Sequence, residues 1–451
     1  MRTLGGTMAA NACAVGYTPD RCSSVEAVLD WLDDAAHWGP LHVMPVPVQQ
    51  LRDWSMSGST GDLAHDRGAF FSITGIEVAD GDDILWQQPI IDQPEIGILG
   101  FIARQGPTGY ELLTQAKIEP GNPHGVQIAP TVQATESNFT RRHGGLPTPF
   151  LEHFDGSRPS RVLVDTLQSE QGGRFLGKRN RNVVVECNEE VDRPRTHRWV
   201  PIEVLLECVR LTEVVNMDAR SVLVTFAAAE RLRMCDEAHR SVGEPPSGSL
   251  PTRGSNGDFT VRRLPLKELT DWSFFDDCIR HRTGRYFRVI GVHVEGVSRE
   301  VRSWEQPMLH APVGGLVILV VRRFGGTWEA LVQDKWEAGN RRGRALAPTV
   351  QRGAQDSSAK TAQDMLCEWV AAQTCAVISD RLLAEEGGRF FRQENRYRVL
   401  EVWDDPPATN SHHWTRLDDL FRAMVNGEDV NIEARSALLC FLASRRAEET
   451  Q

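Results

Sequence analysis

Two stretches of the chain carry the same polar side chains in the same order and at the same spacing. They are Gln115, Lys117, Glu119 and Asn122, and then Gln333, Lys335, Glu337 and Asn340. In a strand that continues through Lys117, alternation points Gln115, Lys117 and Glu119 to one face. An amide, an ammonium and a carboxylate suit the floor of a polar pocket in which protons are moved. The alternative is a solvated outer face that carries a Lys–Glu pair.

These stretches belong to a long internal repeat. Residues 97–133 align with 315–351 without a gap, and 15 of the 37 positions are identical. A repeat of this length indicates one duplicated domain, not a small solenoid unit. We expect an α+β fold in tandem duplication, each copy with an antiparallel or mixed sheet and flanking helices. The predicted divisions are a flexible tail (1–22), a first repeat (23–240), a linker (241–258) and a second repeat (259–451).

Local patterns predict the elements of each copy. Short apolar runs rich in β-branched residues predict strands, and 3.6-residue periodicity predicts helices. Ser23 and Glu26 fit a capping box for the first helix. The predicted strands are 96–103, 110–115, 183–186, 316–321 and 328–333, and the predicted helices are 23–38, 219–232, 365–383 and 434–443.

Composition excludes several classes of protein. The chain has 451 residues, is 41% hydrophobic and carries a net charge of −11, so a basic nucleic-acid-binding surface is not expected. Its nine cysteines form no Cys-x-x-Cys pair, which fits reduced thiols in a cytoplasm. No apolar run of about 18 residues is present, so no membrane segment is predicted.

A second repeated motif suggests anion binding. Gly172-Gly173-Arg174-Phe175 recurs as 387–390 with Arg389. Glycines let backbone approach a ligand closely, and arginine offers a planar cation for phosphate. The alternative is a helix-capping glycine followed by a surface arginine and a core phenylalanine. Trp54 and Trp86 could stack on a base or simply belong to the core.

Together these motifs resemble a known family. Gln-x-Lys-x-Glu-Pro-Gly-Asn, Ala-Pro-Thr-Val-Gln-Ala-Thr and Glu-Gln-Gly-Gly-Arg-Phe, duplicated in a chain of this length, are similar to the NDP-hexose 2,3-dehydratases of deoxysugar biosynthesis. The resemblance implies Nudix-like halves, a homodimer and a dTDP-linked 4-keto-6-deoxyhexose substrate without a cofactor. It also implies one catalytic pocket, which we place in the first repeat. In the second repeat Ala338 replaces Pro120, and the polar segment that follows Gln351 is eroded.

The resemblance also assigns site residues. Glu119 could remove the C3 proton and Lys117 could stabilise the enolate or protonate the leaving C2 oxygen, or the two roles could be exchanged. His124 is a further acid–base candidate. The expected substrate-binding residues are Trp54, Trp86, Gln88, Gln115, Asn122, Thr131, Gln133, Ser137, Asn138, Arg141, Arg174, Asn180 and Arg181. The expected second pocket contains Lys335, Glu337, Asn340 and Arg389. No catalytic metal is expected.

Two rival functions stay open from the sequence. A non-catalytic nucleotide-sugar-binding protein would keep the pocket without its chemistry. A surviving Nudix-type hydrolase would need several carboxylates for Mg²⁺. The segments that best match the Nudix motif, 166–173 and 381–388, both lack its leading glutamate. Metal-dependent hydrolysis is therefore the less favoured activity.

Overall fold

The computed structural model describes residues 20–142, 147–189, 191–242, 259–296, 301–312, 314–353, 361–427 and 430–449. The helices are α1 (Val25–Trp38), α2 (Glu136–Phe139), α3 (Ile202–Val209), α4 (Met217–Val242), α5 (Ala362–Ala372), α6 (Leu417–Asn426) and α7 (Ile432–Glu449). None of these helices is long and apolar enough to span a bilayer.

Strands of the first half, up to residue 242, alternate with those helices. They are β1 (Leu41–Val46), β2 (Trp54–Met56), β3 (Leu63–His65), β4 (Ser72–Asp80), β5 (Asp83–Asp92), β6 (Gly97–Gly106), β7 (Gly109–Lys117), β8 (Gln127–Ala129), β9 (Val132–Ala134), β10 (Arg161–Ser169), β11 (Arg179–Glu186) and β12 (His197–Pro201).

The second half, from residue 259, repeats the series. Its strands are β13 (Thr260–Leu264), β14 (Trp272–Phe275), β15 (Cys278–His281), β16 (Arg288–Gly296), β17 (Ser303–His310), β18 (Gly315–Phe324), β19 (Thr327–Trp336), β20 (Arg344–Ala347), β21 (Val350–Arg352), β22 (Ala376–Ala384), β23 (Glu394–Glu401) and β24 (His412–Arg416).

Each half contains a large mixed sheet of seven strands. The order is β10-β11-β6-β7-β12 in the first half, with β8 beside β7 and β9 beside β6. The second half repeats it as β22-β23-β18-β19-β24, with β20 beside β19 and β21 beside β18. In both sheets the central pair, β11 with β6 and β23 with β18, is parallel, and the other pairs are antiparallel. The predicted tandem α+β architecture is confirmed.

The two halves exchange a strand. β1, from the first half, pairs with β16 of the second, and β13, from the second half, pairs with β4 of the first. Each small sheet, β13-β4-β3-β2 with β5 and β1-β16-β15-β14 with β17, is therefore built from both halves. The predicted division at 241–258 separates the repeats in sequence but does not separate two independent units.

The main core lies where the large sheets cover α4 and α7. The faces of both helices are buried in one apolar cluster, in which Phe226 of α4 and Leu438 of α7 are at most 1% exposed. The same cluster includes Phe101 of β6 and Leu319 of β18. Because one cluster spans both halves, burial of apolar surface holds the halves together as well as each half within itself.

Two local predictions are wrong in detail. α1 is capped by Ser24, whose Oγ accepts from the amide of Ala27 at 3.3 Å, and not by Ser23. The periodic segment 365–383 is helix only as far as Ala372, and it continues as strand β22. Residues 166–169 and 381–384, compared above with the Nudix helix, accordingly lie on β10 and β22. The predicted tail up to residue 19 and the linker from residue 243 lie outside the described residues.

Candidate active site

The repeated polar turns of one half pack against the glycine turns of the other. The amide of Gly121 donates to the carbonyl oxygen of Gly387 at 2.7 Å, and the amide of Arg392 donates to the carbonyl oxygen of Gly121 at 2.8 Å. In the mirror arrangement, Gly339 donates to Gly172 at 2.7 Å. Residue 121 must be glycine, because a Cβ there would stand 1.7 Å from the carbonyl oxygen of Phe390.

Two fully buried arginines bind the strand ends that precede those glycine turns. Arg435 of α7 donates to the carbonyl oxygen of Ser169 at 2.8 Å, and Arg220 of α4 donates to that of Ala384 at 2.7 Å. Ser169 and Ala384 are the last residues of β10 and β22. Each arginine therefore binds a strand of the other half at the end where that strand leads into its glycine turn.

The packing produces two pockets, each lined by both halves. We name the first the Lys117 pocket. It has an outer cavity of about 330 Å³ and an inner cavity of about 110 Å³, which share Lys117, Glu119, Thr135, Asn138 and Arg389. The outer wall is largely aromatic, with Trp54, His65, Phe70, Phe71 and Trp304. The inner end is polar and adds Gln133, Glu170, Lys178, Asn180, Asp218 and Glu386.

The equivalent cavity in the other repeat, which we name the Lys335 pocket, is larger, at about 750 Å³. Lys335 and Glu337 lie in it as an ion pair of 3.0 Å. The first half contributes Arg174 and Gln171, and Gln171 donates to Glu385 at 2.8 Å. Trp86 and Gln88 line this cavity also.

Four carboxyl groups line the inner end of the Lys117 pocket, those of Glu119, Glu170, Asp218 and Glu386. Glu119 accepts a hydrogen bond from Gln133 Nε2 at 3.0 Å. Burial, together with the negative charge of Glu119, raises the pKa of Glu386 to about 8. Burial and the nearby Glu170 raise the pKa of Asp218 well above its usual range. At neutral pH Glu386 is therefore mainly protonated and able to donate a proton.

A lysine of unusual basicity lies beside these acids. Lys178 is 5% exposed, and burial lowers its pKa to about 8. Its Nζ donates to the carbonyl oxygen of Glu95 and to Asn180 Oδ1, both at 2.6 Å. Asn180 in turn donates to Glu170 Oε1 at 2.7 Å. This network fixes Lys178 and Asn180 in the wall of the inner cavity.

Arg389 lies where the inner and outer cavities join. Its guanidinium carbon is 4.1 Å from the ring centroid of Phe71, and Nη1 donates to the carbonyl oxygen of Gly388 at 2.9 Å. Among the described residues, Nε of Arg389 and Oε2 of Glu386 are buried without a hydrogen-bond partner. Both atoms are therefore available to a molecule bound in the cavity.

The two pockets differ at their inner ends. Alignment of the repeats puts Gln171 at the position of Glu386 and Gln393 at the position of Lys178. The Lys335 pocket keeps a carboxyl of raised pKa, Glu433 at about 8, where the Lys117 pocket has Asp218. It therefore lacks one acid and one amine that the Lys117 pocket holds.

Several predicted site residues line the expected cavity and others do not. Lys117, Glu119, Trp54, Gln133, Asn138 and Asn180 line the Lys117 pocket. Trp86, Gln88 and Arg174, predicted for this pocket, line the Lys335 pocket, while Arg389, predicted for the Lys335 pocket, lines this one. For the arginines the reason is the crossing of the turns, which places each Gly-Gly-Arg-Phe motif at the pocket of the other half. Gln88 of β5 lies with that motif, since its Nε2 donates to the carbonyl oxygen of Gly173 at 2.8 Å.

The remaining predicted residues line neither cavity. Thr131 is 2% exposed and accepts from the amide of Ile102 at 3.0 Å, and the Ser137 amide donates to Glu95 at 3.1 Å. These hydrogen bonds hold strands and the start of α2. Gln115, Asn122 and Arg141 do not border either cavity, and neither does Asn340, which donates to Glu337 at 3.3 Å.

Two predicted polar residues lie on the surface instead. Arg181 forms an ion pair of 2.7 Å with Asp165 on the neighbouring strand. His124, expected as an acid–base group, borders neither cavity and lies 3.4 Å from Glu213. Its ring is 66% exposed.

Sequence reasoning missed Glu386, Lys178 and Asp218. A signal for the first two was present, because the aligned repeats show Glu against Gln and Lys against Gln at these positions. The contribution of Glu386 to the pocket of the first repeat could not be read from the alignment, since it depends on the exchange of turns between halves.

Fold and site together define a duplicated α+β protein with two acid–base pockets, each built from both halves. The profile of the family described as NDP-hexose 2,3-dehydratase matches residues 25–226 and 249–441. The chain belongs to that family.

Curated relatives align over most of this chain. A protein of Streptomyces violaceoruber is 40% identical over 87% of this chain and 91% of its own. A protein of Saccharopolyspora spinosa is 36% identical over 90% and 89%, and one of Amycolatopsis orientalis is 36% identical over 93% and 90%. All three are named dTDP-4-dehydro-6-deoxy-alpha-D-glucopyranose 2,3-dehydratase.

Solved structures overlap this chain less completely. A Nudix hydrolase from M. smegmatis, RenU, covers 30% of this chain and 84% of its own, with 13% identity and a TM-score of 0.19. An ADP compounds hydrolase covers 36% and 88%, with 17% identity and a TM-score of 0.24. At these scores the overlaps do not define the fold of a half, and its Nudix-like character stays a prediction.

Proposed function

We propose that this protein is a dehydratase that removes the C2 hydroxyl of a dTDP-4-keto-6-deoxyhexose and forms the 3,4-diketo-2,6-dideoxy sugar nucleotide. Membership of the family and the names of its relatives support the substrate. The observation that carries the chemistry is the cavity in which Lys117 and Glu119 of the first half lie with Glu386 of the second.

The reaction needs one base, one acid and one group to stabilise an oxyanion. The 4-keto group acidifies the C3 hydrogen, which Glu119 removes, and Lys117 stabilises the charge that develops on the C4 oxygen. The C2–O bond then breaks, and the protonated Glu386 gives its proton to the departing hydroxyl, which leaves as water. The resulting enol takes up a proton at C2 and becomes the C3 ketone. No external oxidant is required, because the loss of water itself oxidises C3.

The lining of the Lys117 pocket supports one orientation for a nucleotide sugar. The hexose would occupy the inner end, and the thymine would pack against the aromatic wall of the outer cavity. Arg389, at the junction, would hold the diphosphate between them. The Lys335 pocket lacks an equivalent of Glu386, so we assign it no dehydration.

Incubation of the purified protein with dTDP-4-keto-6-deoxyglucose tests this function. The expected product has lost one water and reacts with an aromatic 1,2-diamine as a dicarbonyl does, which mass spectrometry detects. Release of dTMP that depends on Mg²⁺ would instead show a Nudix-type hydrolase. Saturable binding without either product would show a nucleotide-sugar-binding protein.

A homodimer, a cytoplasmic location and a place in antibiotic deoxysugar biosynthesis stay predictions that rest on the resemblance to the family. Sedimentation analysis of the purified chain tests the first. A mass that corresponds to one 50.4 kDa chain at micromolar concentration would contradict it.

A further inference from the structure

A cluster of three possible metal ligands lies outside both pockets. His124 Nε2 is 3.4 Å from Glu213 Oε2 and 3.5 Å from Glu394 Oε1. One ligand atom from each residue lies within 4.8 Å of the other two. His124 and Glu213 belong to the first half, and Glu394 begins β23 of the second. The cluster therefore lies on the boundary between the halves.

The carboxylate of Glu213 lacks an ordinary partner. Its side chain is 2% exposed, and neither oxygen accepts a hydrogen bond from any described residue. A buried carboxyl in this state costs stability unless a proton or a cation occupies the space in front of it.

The backbone around the cluster is held firmly. The carbonyl oxygen of Glu213 accepts from Gln127 Nε2 at 2.8 Å, and the next carbonyl, of Val214, accepts from the amide of Ile128 at 2.8 Å. On the other side, the amide of Arg392 bonds Gly121 at 2.8 Å, which fixes the approach of β23 to the turn of His124. The three ligand-bearing segments are thus fixed against one another by hydrogen bonds to their backbones.

The aligned positions of the other repeat carry a different set of charges. His124 aligns with Arg342, Glu394 with Arg179, and Glu213 with Glu428. The second set therefore contains two arginines and one glutamate. The first set instead contains two glutamates and one histidine, residue types that can act as metal ligands.

We propose that His124, Glu213 and Glu394 bind one divalent transition-metal ion, for which Zn²⁺ is the reference. A tetrahedral ion about 2.1 Å from each ligand atom would hold those atoms roughly 3.4 Å apart, which matches the two distances to His124. One imidazole and two carboxylates suit such an ion, and water would complete the fourth position. The ion would join the turn of the first half to β23 of the second. This role is structural and does not rest on the proposed dehydratase activity.

Titration of metal-free protein tests the proposal. The full chain, stripped with a chelator and dialysed, is titrated with Zn²⁺ in competition with a chromophoric chelator. We expect one tight site per chain and a higher unfolding temperature with Zn²⁺ than without. Co²⁺ in place of Zn²⁺ should give the intense visible bands of a four-coordinate site.

Two variants identify the ligands. H124A replaces an exposed ring, and E394Q keeps the shape of its side chain, so both are expected to fold, which circular dichroism checks. Each should weaken Zn²⁺ binding by more than the roughly 10–100-fold typical of losing an outer-shell partner. H42A, which removes an exposed histidine elsewhere on the chain, should bind as the wild type does.

Equal Zn²⁺ affinity in the wild type, H124A and E394Q would overturn the proposal and show adventitious binding by other side chains. Absence of a tight site in the wild-type chain would overturn it also. In that case a proton shared between Glu213 and Glu394 would account for the cluster.

Discussion

The amide of Gly121 and the carbonyl oxygen of Gly387 form a 2.7 Å hydrogen bond between the two halves of the chain. Gly121 follows Lys117 and Glu119, whereas Gly387 precedes Gly388 and Arg389. This bond brings Lys117 and Glu119 of the first half into one pocket with Arg389 of the second. The Lys117 pocket therefore exists only where both halves meet.

The first prediction identifies the catalytic pocket. Glu119→Gln removes the proposed base, so kcat should fall by roughly 10²–10⁴-fold while substrate affinity changes little. Glu337→Gln makes the same change in the Lys335 pocket and should leave most of the turnover. Steady-state kinetics and equilibrium binding of the substrate measure the two effects. Greater loss in Glu337→Gln than in Glu119→Gln would assign the chemistry to the other pocket.

The second prediction concerns pH. Because the pKa of Glu386 is raised to about 8, this acid is protonated at lower pH and loses its proton as pH rises. The value of kcat should therefore decline above about pH 8. Glu386→Gln cannot titrate, so this decline should disappear and the remaining rate should be low at every pH. The change itself is tolerated by the fold, since Gln171 stands at the aligned position of the other repeat.

A pH–rate profile of Glu386→Gln that retains the wild-type decline would remove Glu386 as its source. Lys178, whose pKa is lowered to about 8, would then be the group responsible, because it loses its charge over the same range.

The third prediction tests the crossing of the turns. Gly121→Ala would place a Cβ 1.7 Å from the carbonyl oxygen of Phe390, so the two turns must separate. We expect a loss of unfolding free energy beyond the roughly 1–3 kcal/mol typical of overpacked cores, together with loss of turnover. Gly58→Ala is the matched control, since a Cβ there meets nothing within 4 Å. Denaturant unfolding of both variants gives the comparison.

The fourth prediction separates buried from exposed arginine. Arg435→Met removes donors from the carbonyl oxygens of Ser169 and Val430, each held at 2.8 Å. The two carbonyl oxygens alone, at roughly 1–3 kcal/mol each, predict a loss of about 2–6 kcal/mol. Ser221 Oγ and Gln168 Oε1 lose a donor as well. Arg396 makes two 2.7 Å contacts with Asp380 but is exposed, and Arg396→Ala should cost less than about 1 kcal/mol. Similar losses in the two variants would contradict the distinction.

The repeat and most of its elements could be predicted from sequence because they depend on local pattern. The strand runs at 96–103 and 316–321 contain apolar residues that are buried on both faces, and they form β6 and β18. The segment 365–383 failed because a helix and a following strand, α5 and β22, are both apolar and differ little in periodicity over so short a span. Residues 376–384 form a strand because they pair with β23, and this pairing cannot be read from a local pattern.

The same limit applies to the site. Lys117 and Glu119 could be singled out because their repetition marked them, and both line the Lys117 pocket. Arg174 and Arg389 were assigned to the wrong pockets, since sequence order places each beside its own repeat. Their true positions follow from contacts between residues more than 200 positions apart, such as those of Gly121 with Gly387.

The exchange of β1 and β13 has a consequence for how such a chain could arise and be divided. A single-copy ancestor with the same geometry would have donated its first strand to a second molecule, and two chains would have shared two active centres. Fusion makes that encounter intramolecular and independent of concentration. A chain cut between residues 242 and 259 should accordingly yield two fragments that are each incomplete, and that regain one folded particle only when mixed.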